Sequence, residues 1–200
     1  MKRSSRAVAA IVVALASSRA SGDVSRGDAE QRARVRAYFD CVRQESARGE
    51  AGLSGVEACS AVLRTTDPAL RAIVSWINAR TNEQLENHEA RAVAHALECV
   101  THAAAAPSNA RTQQRRSDCV AIVQRLYRRV AWVRNGSACE ISSPSLAREV
   151  IAPAQSTAWT PAQPGATSLT LACTDYRRQV IPVTLVAGRR YVIPPVSILE

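Results

Sequence analysis

Apolar residues recur every three to four positions through most of the chain, then every second position near its end. From Asp28 to about Ala47, Val35, Tyr38, Phe39 and Val42 fall at i, i+3, i+4 and i+7, which predicts an amphipathic helix. Gly49 and Gly52 break it, and a shorter helix follows from about Leu53 to Arg64 with Val56, Cys59 and Leu63 on one face. Asp67-Pro68 is a start signal, an N-cap followed by proline at the first helical position, ahead of the stripe Leu70, Ile73, Val74 and Ile77. Thr81-Asn82-Glu83-Gln84 has the form of a capping box for a fourth helix reaching about Ala105, with Val93, Ala96, Leu97, Val100 and Ala104 as its buried stripe. Pro107-Ser108-Asn109 ends it. A fifth helix is expected from about Thr112 to Arg134, carrying Cys119, Ile122, Val123, Leu126, Val130 and Val133, and Asn135-Gly136 reads as its left-handed stop.

The period then changes. Ser143-Pro144 caps at most a short helical turn through Val150, and residues 151–166, with three prolines among small polar side chains, read as a linker. Leu169, Leu171 and Cys173 alternate, as do Ile181, Val183 and Leu185, and then Tyr191 and Ile193. Two or three antiparallel strands are expected, with a hairpin turning near Gly188. A sheet this small is not stable alone, so it should pack on the helices. The expected fold is mainly α: a body of about five helices in antiparallel hairpins, closed by disulfides, with a small C-terminal antiparallel β-hairpin or three-stranded sheet. The segments are a signal peptide over 1–20, a helical body over 21–150, a Pro/Ala/Gln linker over 151–166 and a β tail over 167–200.

The compartment follows from the first twenty residues. Lys2, Arg3 and Arg6 precede an unbroken apolar run from Ala7 to Ala16, and Ser18 and Ala20 supply small side chains before a cleavage point. The run is too short to cross a bilayer, which takes about 20 apolar residues, and no later stretch approaches that length. Export to the periplasm or the cell exterior is expected, with no transmembrane segment after cleavage. Cleavage would leave 22 basic against 17 acidic residues, a formal +5 in place of +9, and every remaining fixed cation would be arginine. A GC-rich coding sequence explains that bias without reference to function.

Six cysteines in an exported chain point to three disulfides. Cys41 and Cys59 lie nine residues either side of Glu50, and Cys99 and Cys119 ten residues either side of Asn109. Positions equidistant from the turn of an antiparallel hairpin come level, near the 4.4–6.8 Å Cα separation a disulfide spans. Cys139 and Cys173 are left to join each other across the linker. Such bonds would occupy every thiol.

Candidate chemistry is thin. Arg111, Arg115, Arg116, Arg125, Arg128, Arg129 and Arg134 crowd the fifth helix with Tyr127 and Trp132 between them, and Arg177, Arg178, Arg189 and Arg190 add charge in the tail. A basic face of this kind suits an anionic polymer, surface or protein partner; export makes genomic nucleic acid an unsuitable target. His88, His95 and His102 recur every seven residues on the fourth helix beside Glu98 and Cys99. At a rise of about 1.5 Å per residue, successive histidines stand roughly 10.5 Å apart, too far for all three to hold one ion, and they lie opposite the apolar stripe on what should be a solvated face. Glu83, Glu86 and Glu89 suit a first helical turn without a catalytic role. Asn135-Gly136-Ser137 forms an N-glycosylation sequon. No nucleophile elbow, zinc-protease helix, phosphate-binding glycine loop or Cys-x-x-Cys occurs. No catalytic residue, metal site or cofactor is therefore assigned. The leading expectation is a non-catalytic binding or interaction module that recognises an anionic surface or polymer through its Arg-rich helix. The alternatives are an enzyme of unrecognised type and a metal-binding protein using the histidine row.

Overall fold

The computed structural model describes residues 26–53, 55–63, 65–147, 150–152, 158–173 and 178–194. The expected signal peptide, with most of the linker's first half, lies outside the described residues. The chain forms two compact units, residues 1–66 and 67–200.

In the first unit, α1 (Arg26–Ala47) is the amphipathic helix expected there. The helix expected from about Leu53 to Arg64 is instead three short pieces: α2 (Glu50–Leu53), a 3-10 turn (Glu57–Cys59) and α3 (Ser60–Leu63). Gly49, at φ +69°, reverses the chain after α1. Gly52 then comes so close to α1 that a Cβ on it would fall 1.9 Å from the Glu45 carbonyl oxygen, a position only glycine can occupy. Cys41 and Cys59 are bonded at a Cα separation of 5.8 Å. Tyr38, Val42, Leu53, Val56, Cys59 and Leu63 are buried.

The second unit begins with α4 (Pro68–Asn82), whose N-cap Asp67 accepts from the Ala69 amide at 2.9 Å with Pro68 behind it. The expected capping box at Thr81 is not one. Thr81 and Asn82 are the last buried residues of α4, and their side chains donate back to the Ile77 and Asn78 carbonyls at 2.9 Å. The break comes later, at left-handed Asn87 (φ 59°), and α5 (Glu89–Ala105) starts there. Asn109 caps α6 (Ala110–Leu126) by accepting from the Thr112 amide at 2.9 Å. Helix α5 packs against α4 and α6, and the Cys99–Cys119 disulfide joins α5 to α6 at 6.3 Å between Cα atoms.

The fifth helix was expected to reach Arg134, yet α6 stops at Leu126 and residues 131–135 form strand β1. Val130 and Val133 satisfy a helical stripe, but Val130, Ala131, Trp132 and Val133 are all buried. Four consecutive buried residues mark a strand covered on both faces, whereas an amphipathic helix buries one side only. The remaining strands are β2 (Glu140–Ser142), β3 (Val150–Ile151), β4 (Thr160–Ala162), β5 (Gly165–Ala172), β6 (Arg178–Leu185) and β7 (Arg190–Ile193). Strand β4 thus lies within the segment expected to be a linker, β1 and β2 within the segment expected to be helical, and β3 across the boundary between them.

The expected small antiparallel sheet is present as β3-β2-β5-β6, and a second sheet has the order β4-β1-β7. The turn at Gly188 is where expected, but β6 and β7 do not pair with each other. Strand β6 pairs with β5, and β7 runs parallel to β1 with Trp132 level with Arg190 and Asn135 level with Ile193. The strand hidden at the end of the expected helix supplies that partner. Trp132 buries its ring among the helices with Val93, Ile122 and Leu126, while Ile141, Leu169, Leu171 and Leu185 form a second core with the strands. Gln163, just past β4, docks on the start of α5, accepting from the Ala90 amide and donating to Glu89. Cys139 and Cys173 are bonded at 4.3 Å between Cα atoms, which completes three disulfides.

Three disulfides indicate an oxidising compartment, and no helix among the described residues is long and apolar enough to cross a membrane.

Candidate functional site

The seven arginines expected to make a basic face on and around the fifth helix do not share one face. Arg116 and Arg125 are nine positions apart on α6, which at about 100° per residue sets them on opposite sides. Arg125 reaches Glu83 with Nε and Nη2 at 3.0 and 2.7 Å. Arg115 is half-buried, and desolvation followed by the charge of Arg111 lowers its pKa from the usual arginine value. Arg111 and Arg116 are exposed on α6. Arg128 and Arg129 lie beyond it in the turn to β1, and Arg134 is on β1 itself.

That turn is where arginines do gather. The Gly188 amide donates to the Val130 carbonyl at 2.8 Å, and the Trp132 amide to the Arg189 carbonyl at 2.9 Å. A Cβ built on Gly188 would come within 3.5 Å of the Arg128 carbonyl oxygen. Arg128-Arg129 and Arg189-Arg190, about sixty positions apart in the chain, therefore occupy adjoining turns, and all four are exposed. Among the described residues no carboxylate pairs with any of them. The β1–β7 register puts Arg190 level with Trp132, and so on the same face as Arg134.

Aromatic side chains order this basic corner. The Arg134 and Arg190 guanidinium carbons stand 5.2 and 5.3 Å from the centroid of the Trp159 ring, within cation–π range. Arg190 also donates to the Tyr127 hydroxyl at 2.6 Å. Tyr127 lies against Trp132 at 5.0 Å between ring centroids, and the Trp132 indole donates to the Tyr127 carbonyl at 3.2 Å. The sequence placed Tyr127 and Trp132 among the arginines. It gave no role to Trp159, whose surrounding prolines hid a strand.

Trp159 also forms one wall of a cleft of about 500 Å³. Ile151, Ala152 and Pro161 continue that wall, and Leu97, Glu98, Thr101 and His102 of α5 face it. Here the histidine row separates. His88 lies in the turn before α5 with Nδ1 2.8 Å from Asn82 Oδ1, His95 contacts Glu98 at 3.4 Å, and His102 lines the cleft. The row was expected to be solvated, but the His95 side chain is 17% exposed. Alanines 90, 92, 94, 96 and 103 are buried around α5, and such small side chains let neighbouring elements approach it from several sides. Among the described residues no three potential metal ligands cluster.

The sequon is also absorbed by the fold. Asn135 is 1% exposed. Its Nδ2 donates to the carbonyls of Cys139, Ala152 and Ile151 at 2.7, 2.7 and 3.3 Å, and its Oδ1 accepts from the Ser137 amide and hydroxyl at 2.9 and 2.8 Å. A glycan on this amide is incompatible with the fold.

No family model, curated protein or solved structure matches this chain.

Proposed function

We propose that the protein is an exported, non-catalytic binding module that recognises an anionic surface or polymer. The supporting observation is the convergence of Arg128-Arg129 with Arg189-Arg190 on adjoining turns, with Arg134 beside them and no carboxylate partner among the described residues. Bringing like charges together opposes folding, and an anionic partner relieves that repulsion. Arginine suits the task because its planar fork keeps in-plane donors free for sulfate, phosphate or carboxylate even when its face is stacked. The binding centre thus moves from the helix to the turns that follow it.

The test is affinity for heparin, as a polyanion probe, and for anionic against zwitterionic vesicles. Binding should weaken steeply with salt, as counterion release requires, and Arg128→Ala/Arg129→Ala/Arg189→Ala/Arg190→Ala should lose it while keeping its helical signal. Equal affinity for zwitterionic and anionic vesicles, together with elution from heparin at low salt, would overturn the reading.

A further inference from the structure

The cleft and the basic corner share Trp159. Leu97, Ile151 and Pro161 make much of the cleft apolar, and its 500 Å³ falls within the range of small-molecule sites. Two guanidinium groups stand against the ring that forms one of its walls. Glu98 lies on the facing α5 wall, where His95 contacts it, while Arg134 and Arg190 stand against the Trp159 ring outside the residues that line the cleft.

We propose that this is a binding site for a single anionic amphiphile: an apolar chain lies in the cleft, and its terminal oxyanion extends past the edge of Trp159 to Arg134 and Arg190. The inference rests on the anion-binding reading above and deepens it by adding an apolar component. Stacking on Trp159, with the bond from Arg190 to Tyr127, limits the motion of both guanidinium groups before the ligand arrives. Such preorganisation lowers the entropy lost on binding. A phosphate or a carboxylate meets the same requirement, since each accepts two parallel N–H bonds. An unsubstituted anion gains nothing from the cleft, and an uncharged chain gains nothing from the arginines.

The experiment titrates the full chain with decyl phosphate, decanoate, decanol and inorganic phosphate below micellar concentration, followed by tryptophan fluorescence and calorimetry. One equivalent of decyl phosphate or decanoate should bind at least tenfold more tightly than decanol or inorganic phosphate, and the stronger of the two identifies the headgroup. Arg134→Ala/Arg190→Ala should weaken it at least tenfold. Ala152→Trp, at an exposed position in the cleft lining and outside the four-arginine corner, should do the same while leaving heparin affinity unchanged. Decanol binding as tightly as decyl phosphate would remove the arginine clamp from the account. Wild-type binding by Ala152→Trp, or inorganic phosphate as effective as the decyl ester, would remove the cleft and leave the polyanion reading standing. Failure of both amphiphiles and heparin would end both readings.

Discussion

Asn135 sits in a triplet that supports three local readings: a helix stop, a glycosylation sequon, and the buried hub it turns out to be. Its five side-chain hydrogen bonds tie the end of β1 to Cys139, Ser137 and the β3 strand. Asn135→Ala leaves buried carbonyls and an amide unpartnered, and should cost about 3 kcal/mol in denaturant unfolding. Asn135→Asp should cost at least as much, because it sets a carboxylate against three carbonyl oxygens. Tyr38 presents the opposite situation. Its hydroxyl is buried with no hydrogen-bond partner among the described residues, and desolvation raises its pKa well above the ordinary 10.0. Below pH 10 the folded and unfolded states hold the same proton and this group adds no pH dependence. Above it the unfolded phenol ionises while the folded one resists, so stability falls as pH rises. Tyr38→Phe should be neutral or slightly stabilising at pH 7, and its stability should fall less than wild type between about pH 10 and 12, as chemical unfolding would show. An equal fall in both proteins would contradict this account of Tyr38.

Among the elements, the disulfides were the most legible from sequence because symmetry about a turn is a geometric constraint. Equidistance from Glu50 and Asn109 was enough to pair four cysteines, and the third pair followed. Each bond should contribute about 2 to 4 kcal/mol. Replacing Cys41 and Cys59 by serine should raise hydrogen exchange chiefly within residues 26–63; an increase spread evenly over both units would contradict the division of the chain. Helix α1 and the Asp67-Pro68 start were legible because each rests on local chemistry. What stayed hidden was long-range. Val130 and Val133 fit a helical period as well as a strand, and only the burial of Ala131 and Trp132 between them distinguishes the two. With residues 131–135 read as helix, β7 has no visible partner in the sequence, and the turn at Gly188 predicts a hairpin with β6 instead. Thr160-Pro161-Ala162 resembled linker because proline is suited to a sheet edge, and β4 is at an edge. Gly136 lies where β1 and β7 end together: a Cβ there would be 2.6 Å from the Ile193 carbonyl oxygen. Gly136→Ala should therefore lower the thermal midpoint by several degrees; an unchanged midpoint would speak against the parallel register.

Over the whole molecule, the candidate site was legible in composition but not in position. The excess of arginine over acid was plain, and so was its concentration after residue 110. Which arginines meet depended on a parallel strand pair joining residues about sixty positions apart. Folding separates Arg116 from Arg125, pairs Arg125 with Glu83, and draws Arg189 and Arg190 beside Arg128 and Arg129. In the proposed function this corner, and not the helix, holds the anion. The most direct measurement is the salt dependence of heparin affinity for three proteins: wild type, the quadruple variant lacking Arg128, Arg129, Arg189 and Arg190, and a triple variant lacking Arg111, Arg116 and Arg125. Each arginine that contacts the polyanion should contribute about one to the slope of log affinity against log salt. The slope should fall by about three to four in the quadruple variant and stay nearly unchanged in the triple. The reverse order would contradict this expectation and return the binding surface to the helix.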